Sequence, residues 1–83
     1  MANEFCILIV DDEVEYRDVL KSVVETEGYM ADAAASGHEA LERLKAGRGD
    51  LVHSDVIMEG MDGLELLQTI KQEHEDVEVI IIT

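Results

Sequence analysis

Asp11 and Asp12 follow the apolar run Cys6-Ile-Leu-Ile-Val10, and Asp55 follows Asp50-Leu-Val-His-Ser54. A continuously apolar run of this length reads as a strand buried on both faces, the habit of a central parallel strand. If both runs lie in one parallel sheet, all three carboxylates emerge at carboxyl ends. That is the edge where open α/β sheets bind ligands, at the point where strand order reverses. Like charges gathered there repel one another unless a cation joins them. Ligands that are all oxygen suit a hard divalent ion, Mg2+ before Zn2+. The residues therefore point to a metal-dependent acidic pocket.

The elements that must position these residues follow from the pattern around them. A first strand is expected over residues 5–10 and a helix over 14–27, with Tyr16, Val19, Leu20, Val23 and Val24 at helical spacing. Gly28 is placed to end that helix in a left-handed conformation. A second strand is expected over 29–34. Ser36-Gly-His-Glu39 has the form of a capping box, so Ser36 opens a second helix with Ala40, Leu41 and Leu44 as its buried stripe. Gly47 or Gly49 stops it. Residues 51–54 form the third strand, and Met58-Glu-Gly-Met-Asp-Gly63 reads as a glycine-punctuated loop. Leu64, Leu67 and Ile70 mark a third helix ending near Glu73, and 77–82 is the fourth strand. The alternation βαβαβαβ implies a parallel sheet with right-handed crossovers and helices on both faces.

Composition sets the bounds. The chain has 83 residues, enough for one small domain, and 47% of them are hydrophobic, which argues for a folded globule. Twenty acidic against six basic residues give a net charge of −14, which speaks against direct nucleic-acid binding. Phe5, Tyr16 and Tyr29 are the only aromatics, so the core must be aliphatic. Cys6 is the only cysteine and reads as an inert thiol in a strand. The N-terminal residues carry no secretory pattern, and no apolar run approaches the ~20 residues of a membrane span. A cytoplasmic location is expected.

Taken together, Ile7-Leu-Ile-Val-Asp-Asp-Glu13, the segment 50–55, Met58-x-Gly-Met-Asp-Gly-Leu-Glu-Leu-Leu67 and Val79-Ile-Ile-Ile-Thr83 resemble a bacterial response-regulator receiver domain. The resemblance spans residues 1–83 as a partial receiver. It implies a flavodoxin-like, doubly wound parallel sheet of order 2-1-3-4, truncated after strand four. It further implies that Asp55 is the phosphoacceptor, taking a phosphoryl group from a sensor histidine kinase or phosphotransfer protein. Asp12 resembles the direct Mg2+ ligand and Asp11 its partner, partly through water, with Asp55 and the backbone carbonyl of Ile57 completing the protein's share. Thr83 resembles the switch hydroxyl. Such a domain is a signalling module and not a turnover enzyme.

The departures carry expectations of their own. Receivers usually have proline where Glu59 stands, and this chain contains none. A looser loop and altered metal affinity follow, since proline would fix φ there. His53, at a commonly aliphatic position, falls on the same side of its strand as Asp55 and reads as a hydrogen-bonded structural residue. His38 and His74 read as solvated. The family continues with a fourth helix, a fifth strand bearing a lysine that pairs with the phosphoryl group, and a fifth helix. A chain stopping at Thr83 lacks that lysine, so weak phosphorylation or a silent switch is expected. Strand four, with Glu78 its only charged guard, then becomes an edge that favours homo-oligomers. The alternative function is accordingly a truncated, non-switching receiver acting as a self-association module. A calcium loop opening at Asp55 fails at its third and twelfth positions, Ile57 and Leu66.

Overall fold

The computed structural model describes residues 5–58 and 60–82. In chain order the elements are β1 (Cys6–Val10), α1 (Val14–Thr26), β2 (Met30–Ala34), α2 (Gly37–Lys45), β3 (Leu51–Asp55), α3 (Gly63–Glu73) and β4 (Glu78–Ile82). Every strand pairing is parallel, as the sequence pattern predicts, and the sheet order is β2-β1-β3-β4, as the resemblance implies. Glu59 and Thr83 lie outside the described residues.

The order has a direct consequence for the layers. The chain first moves from β1 outward to β2, then crosses back over β1 to β3 and on to β4. With right-handed crossovers, that reversal puts α1 on one face and α2 with α3 on the other. Leu8, Val10 and Val52 pack with Ala40 and Leu44 of α2 and with Leu66 and Ile70 of α3 into one aliphatic core. Ile9, alternating with Leu8 and Val10, is buried on the opposite side, where α1 packs against β1 and β2.

Local chemistry sets the helix ends. The Ser36 hydroxyl accepts the Glu39 N–H at 3.1 Å, as expected of an N-cap. The Glu39 carboxylate, however, reaches past Ser36 to the N–H of Ala35, at 2.8 Å, and also accepts from Arg43 at 2.9 Å. The complete capping box belongs to α3, where Asp62 accepts from the Glu65 N–H at 2.9 Å and Glu65 from the Asp62 N–H at 3.1 Å. Gly28, with φ +95°, ends α1 in the left-handed region.

The buried stripe of α3 differs from the spacing that marks the helix in the sequence. On α3 the buried positions are Gly63, Leu66 and Ile70, while Leu64 is exposed. The spacing of three and four runs from the side-chain-free Gly63 and not from the first leucine. On α1 no residue is fully buried, and Tyr16, Val19 and Val23 are exposed. Arg17, Leu20, Lys21 and Val24 are the half-buried positions there. No helix among the described residues is long and apolar enough to cross a membrane.

Two outcomes follow. Ile70 is 0% exposed and Val19 58%, so Ile70→Ala should cost about 2–5 kcal/mol in urea unfolding and Val19→Ala within ~0.5 kcal/mol; equal costs would contradict the assignment of the core. The hydrogen bond from Ala35 holds the Glu39 carboxyl below its ordinary range; burial pushes it up by less, and Arg43 and then Arg17 add to the lowering. A depressed carboxyl stabilises the fold above its unfolded pKa and loses that contribution as pH falls through the folded value. The stability gap between wild type and Glu39→Gln should therefore be present at neutral pH and close on acidification, as read by thermal melts across pH.

Candidate functional site

β1 and β3 are neighbours in register, with Ile9 opposite His53 and Val10 opposite Ser54. One step further along both strands brings Asp11 beside Asp55 at the carboxyl edge. This is the place where the chain's path across the sheet reverses. Asp11 and Asp55 line one cleft of about 200 Å³ together with Glu13, Tyr16, His53 and Ile82. Asp12 does not line it and is exposed, and Ile57 projects its side chain into solvent at 81% exposure.

Asp11 is only 4% exposed, and each of its polar groups but one carboxylate oxygen is held. Its N–H donates to Ala34 O at 3.2 Å, its Oδ1 accepts from the Glu13 N–H at 2.9 Å, and its carbonyl accepts from Arg17 Nη1 at 2.7 Å. Asp55 is half-buried, and its Oδ1 accepts from the Ile57 N–H at 3.3 Å. The fully buried Ser54 hydroxyl donates to the Asp55 carbonyl at 2.9 Å, which satisfies a polar group inside the core.

Below the site, α3 starts directly on the Asp55–Val56 peptide. The Gly63 N–H donates to Val56 O at 2.8 Å. A methyl group on Gly63 would meet Val56 Cα at 2.9 Å and the Asp55 carbonyl carbon at 3.1 Å, with the Asp55 oxygen closer still. Its φ is not positive, so glycine is required there by close approach and not by backbone conformation.

Among the described residues, no three His, Cys, Asp or Glu side chains form a ready-made cage for an ion. The donor set nevertheless fits Mg2+: one buried carboxylate with a free oxygen, a second across the cleft and a third on the adjacent turn. Mg2+ keeps several waters and takes one or two carboxylates, in contrast to ions that need a full protein cage.

Of the sequence expectations, Asp11 and Asp55 come together and His53 joins them on the same face. The hydrogen bond expected for His53 is not found among the described residues. Thr83 and the loop residue Glu59 fall outside them. Glu13, Tyr16, Arg17 and Gly63 were not singled out from the sequence as site residues. Only Arg17 left a signal there, a base in the first turn of a helix that starts beside two acids.

The family model for the response regulator receiver domain matches residues 7–83. Sporulation initiation phosphotransferase F of Bacillus subtilis is 45% identical over all 83 residues, which correspond to 66% of that protein. The nitrogen assimilation regulatory protein NtrX of Azorhizobium caulinodans is 42% identical over 79 residues, 93% of this chain and 17% of that protein. The chain thus spans less than two thirds of the length of either relative. Among solved structures, the response regulator protein TrrA from Thermotoga maritima, in complex with Mg2+-BeF, is 40% identical with a TM-score of 0.88, over 93% of this chain and 67% of that one. The receiver domain of NtrX from Brucella abortus is 35% identical with a TM-score of 0.85, over 90% and 64%.

The packing of α3 on the Asp55 peptide can be tested by substitution. Gly63→Ala should cost about 1–3 kcal/mol in urea unfolding, because backbone and not a side chain has to give way. Gly37→Ala, whose methyl would meet only the flexible Met61 side chain, should cost less than ~1 kcal/mol. The reverse order would refute the close approach.

Proposed function

Because the chain belongs to the response regulator receiver domain family, we propose that it is a phosphoacceptor module of a two-component relay in which Asp55 accepts the phosphoryl group. A sensor histidine kinase or phosphotransfer protein is the donor. The observation that carries this reading is the cleft at the carboxyl edge, where Asp55 faces Asp11 across adjacent parallel strands.

In the proposed step a carboxylate oxygen of Asp55 attacks the phosphorus of a phosphohistidine. The P–N bond breaks, its electron pair stays on the imidazole nitrogen, and that nitrogen takes up a proton. The product is an acyl phosphate on Asp55 and a neutral histidine on the donor. Because the group stays on Asp55, the step is a modification of this chain and not turnover.

Asp11, Asp12, Asp55 and the carbonyl of Ile57 would hold Mg2+. The ion would offset the charge between the carboxylates and the incoming phosphoryl oxygens, and orient them. Asp11 suits a ligand that must not move, since three hydrogen bonds fix it. The half-buried position of Asp55 leaves one face open to a donor while the Ile57 N–H holds one oxygen. The resulting acyl phosphate adds charge at the rim, where it can bias a loop between two arrangements. Thr83, the next residue in sequence after Ile82, is proposed as the hydroxyl that responds.

The experiment is incubation with Mg2+ and an acyl-phosphate donor, read by intact mass. Wild type should gain one phosphoryl adduct, and Asp55→Ala none. An adduct that persists on Asp55→Ala, or none on folded wild type, would overturn the assignment.

A further inference from the structure

We propose that Arg17 is a positioning residue for the metal-binding turn, holding the Asp11–Asp12 peptide that carries two of the proposed ligands; the inference rests on the Mg2+ reading above.

The chain has twenty acidic residues and three arginines. Arg43 pairs with Asp32 at 3.5 Å and Glu39 at 2.9 Å, and Arg48 pairs with Asp32 at 3.5 Å. Arg17 makes no ion pair among the described residues. Its Nη1 donates instead to the Asp11 carbonyl at 2.7 Å, the shortest of the three hydrogen bonds that hold Asp11. A bond with a charged donor is roughly twice as strong as a neutral one.

The geometry is closed on itself. The Arg17 N–H bonds the Glu13 carbonyl at 3.0 Å, and the Glu13 N–H bonds Asp11 Oδ1. The turn therefore starts the helix, and the helix returns a side chain to the turn. The Asp11 carbonyl belongs to the same peptide unit as the Asp12 nitrogen, so fixing one fixes the direction in which Asp12 leaves the sheet. Asp12 has no hydrogen bond of its own among the described residues and is exposed. Its aim depends on that peptide.

Positioning and charge have opposite signs here, which makes the inference testable. A guanidinium near a cation site repels the cation, so removing its charge alone should tighten Mg2+ binding. Removing a residue that orients the ligands should weaken it, about tenfold by analogy with other outer partners of metal ligands.

The test is Mg2+ titration of the full chain by calorimetry, with metal-free thermal melts as the fold control. Arg17→Met should weaken Mg2+ about tenfold, and Arg17→Lys, which can still donate to the carbonyl, should recover part of the loss. Lys21→Met removes the same charge one turn further along α1, where Lys21 pairs with Glu25 at 3.8 Å; it should leave affinity unchanged or slightly tighter. Wild-type or tighter binding by Arg17→Met overturns the role of Arg17 alone. Absence of binding by the wild type overturns the metal reading itself and this inference with it. Should Arg17→Met not fold, ¹⁵N NMR of the wild type decides: a guanidinium with slowed rotation supports the clamp, and a freely rotating one refutes it.

Discussion

Parallel pairing of β1 with β3 is the constraint from which the site follows. Strand β1 carries two acids immediately past its last apolar residue, and β3 ends on a third. Parallel pairing sets these ends side by side, and the register, with Val10 opposite Ser54, sets Asp11 and Asp55 level with one another. An antiparallel arrangement would have sent them to opposite edges. The apolar residues behind them, Leu8, Val10 and Val52, are buried together with α2 and α3, so burial of the core and convergence of the acids are one event. Sliding either strand by one residue would turn its core side chains to the other face. The register is therefore held by the hydrophobic effect, and the carboxylates are carried along.

The price of that convergence is electrostatic, and the structure meets it with hydrogen bonds more than with counter-charges. Asp11 is nearly buried, yet it is held by a strand N–H to carbonyl bond, a turn N–H and an arginine on its carbonyl. The other two arginines gather on Asp32 at the β2 edge, where they neutralise a half-buried acid on an outer strand. Such a charge on an edge strand also discourages pairing with a further strand. Two of the three arginines thus lie away from the acidic cleft, and the third reaches it only through the Asp11 carbonyl.

How much of this was legible in the sequence depends on which partner each residue uses. The fold was readable because apolar runs and helical spacing report burial, and burial decides the sheet. The meeting of Asp11 with Asp55 was readable because strand order and parallel direction are enough to fix it. The α3 stripe was misjudged because counting began at Leu64, whereas the helix turns its side-chain-free Gly63 inward and so buries Leu66 and Ile70. On α1 the five apolar residues at helical spacing outnumber what the sheet covers, leaving Tyr16, Val19 and Val23 exposed. Contacts to main-chain atoms were the least legible. Glu39 bonds the Ala35 N–H, Gly63 sits on the Asp55 peptide and Arg17 bonds the Asp11 carbonyl. Apart from the cap at Ser36, which its residue type does announce, residue types point to side-chain partners more readily than to backbone ones.

The choice of a carbonyl as the partner of Arg17 has a chemical logic. An arginine bound to the carboxylate of Asp11 or Asp12 would hold the turn equally well. It would also occupy the oxygens that a divalent ion needs, and binding would then require breaking a strong ion pair first. Bonding the carbonyl between the two acids fixes the peptide without consuming a ligand. The Glu13 N–H takes only Oδ1 of Asp11, so its other oxygen is left for the ion. The same logic applies across the cleft, where the Ile57 N–H takes one oxygen of Asp55 and the Ser54 hydroxyl takes its carbonyl. On both strands one carboxylate oxygen and the main-chain carbonyl are hydrogen-bonded, so each acid is held while its second carboxylate oxygen has no partner among the described residues.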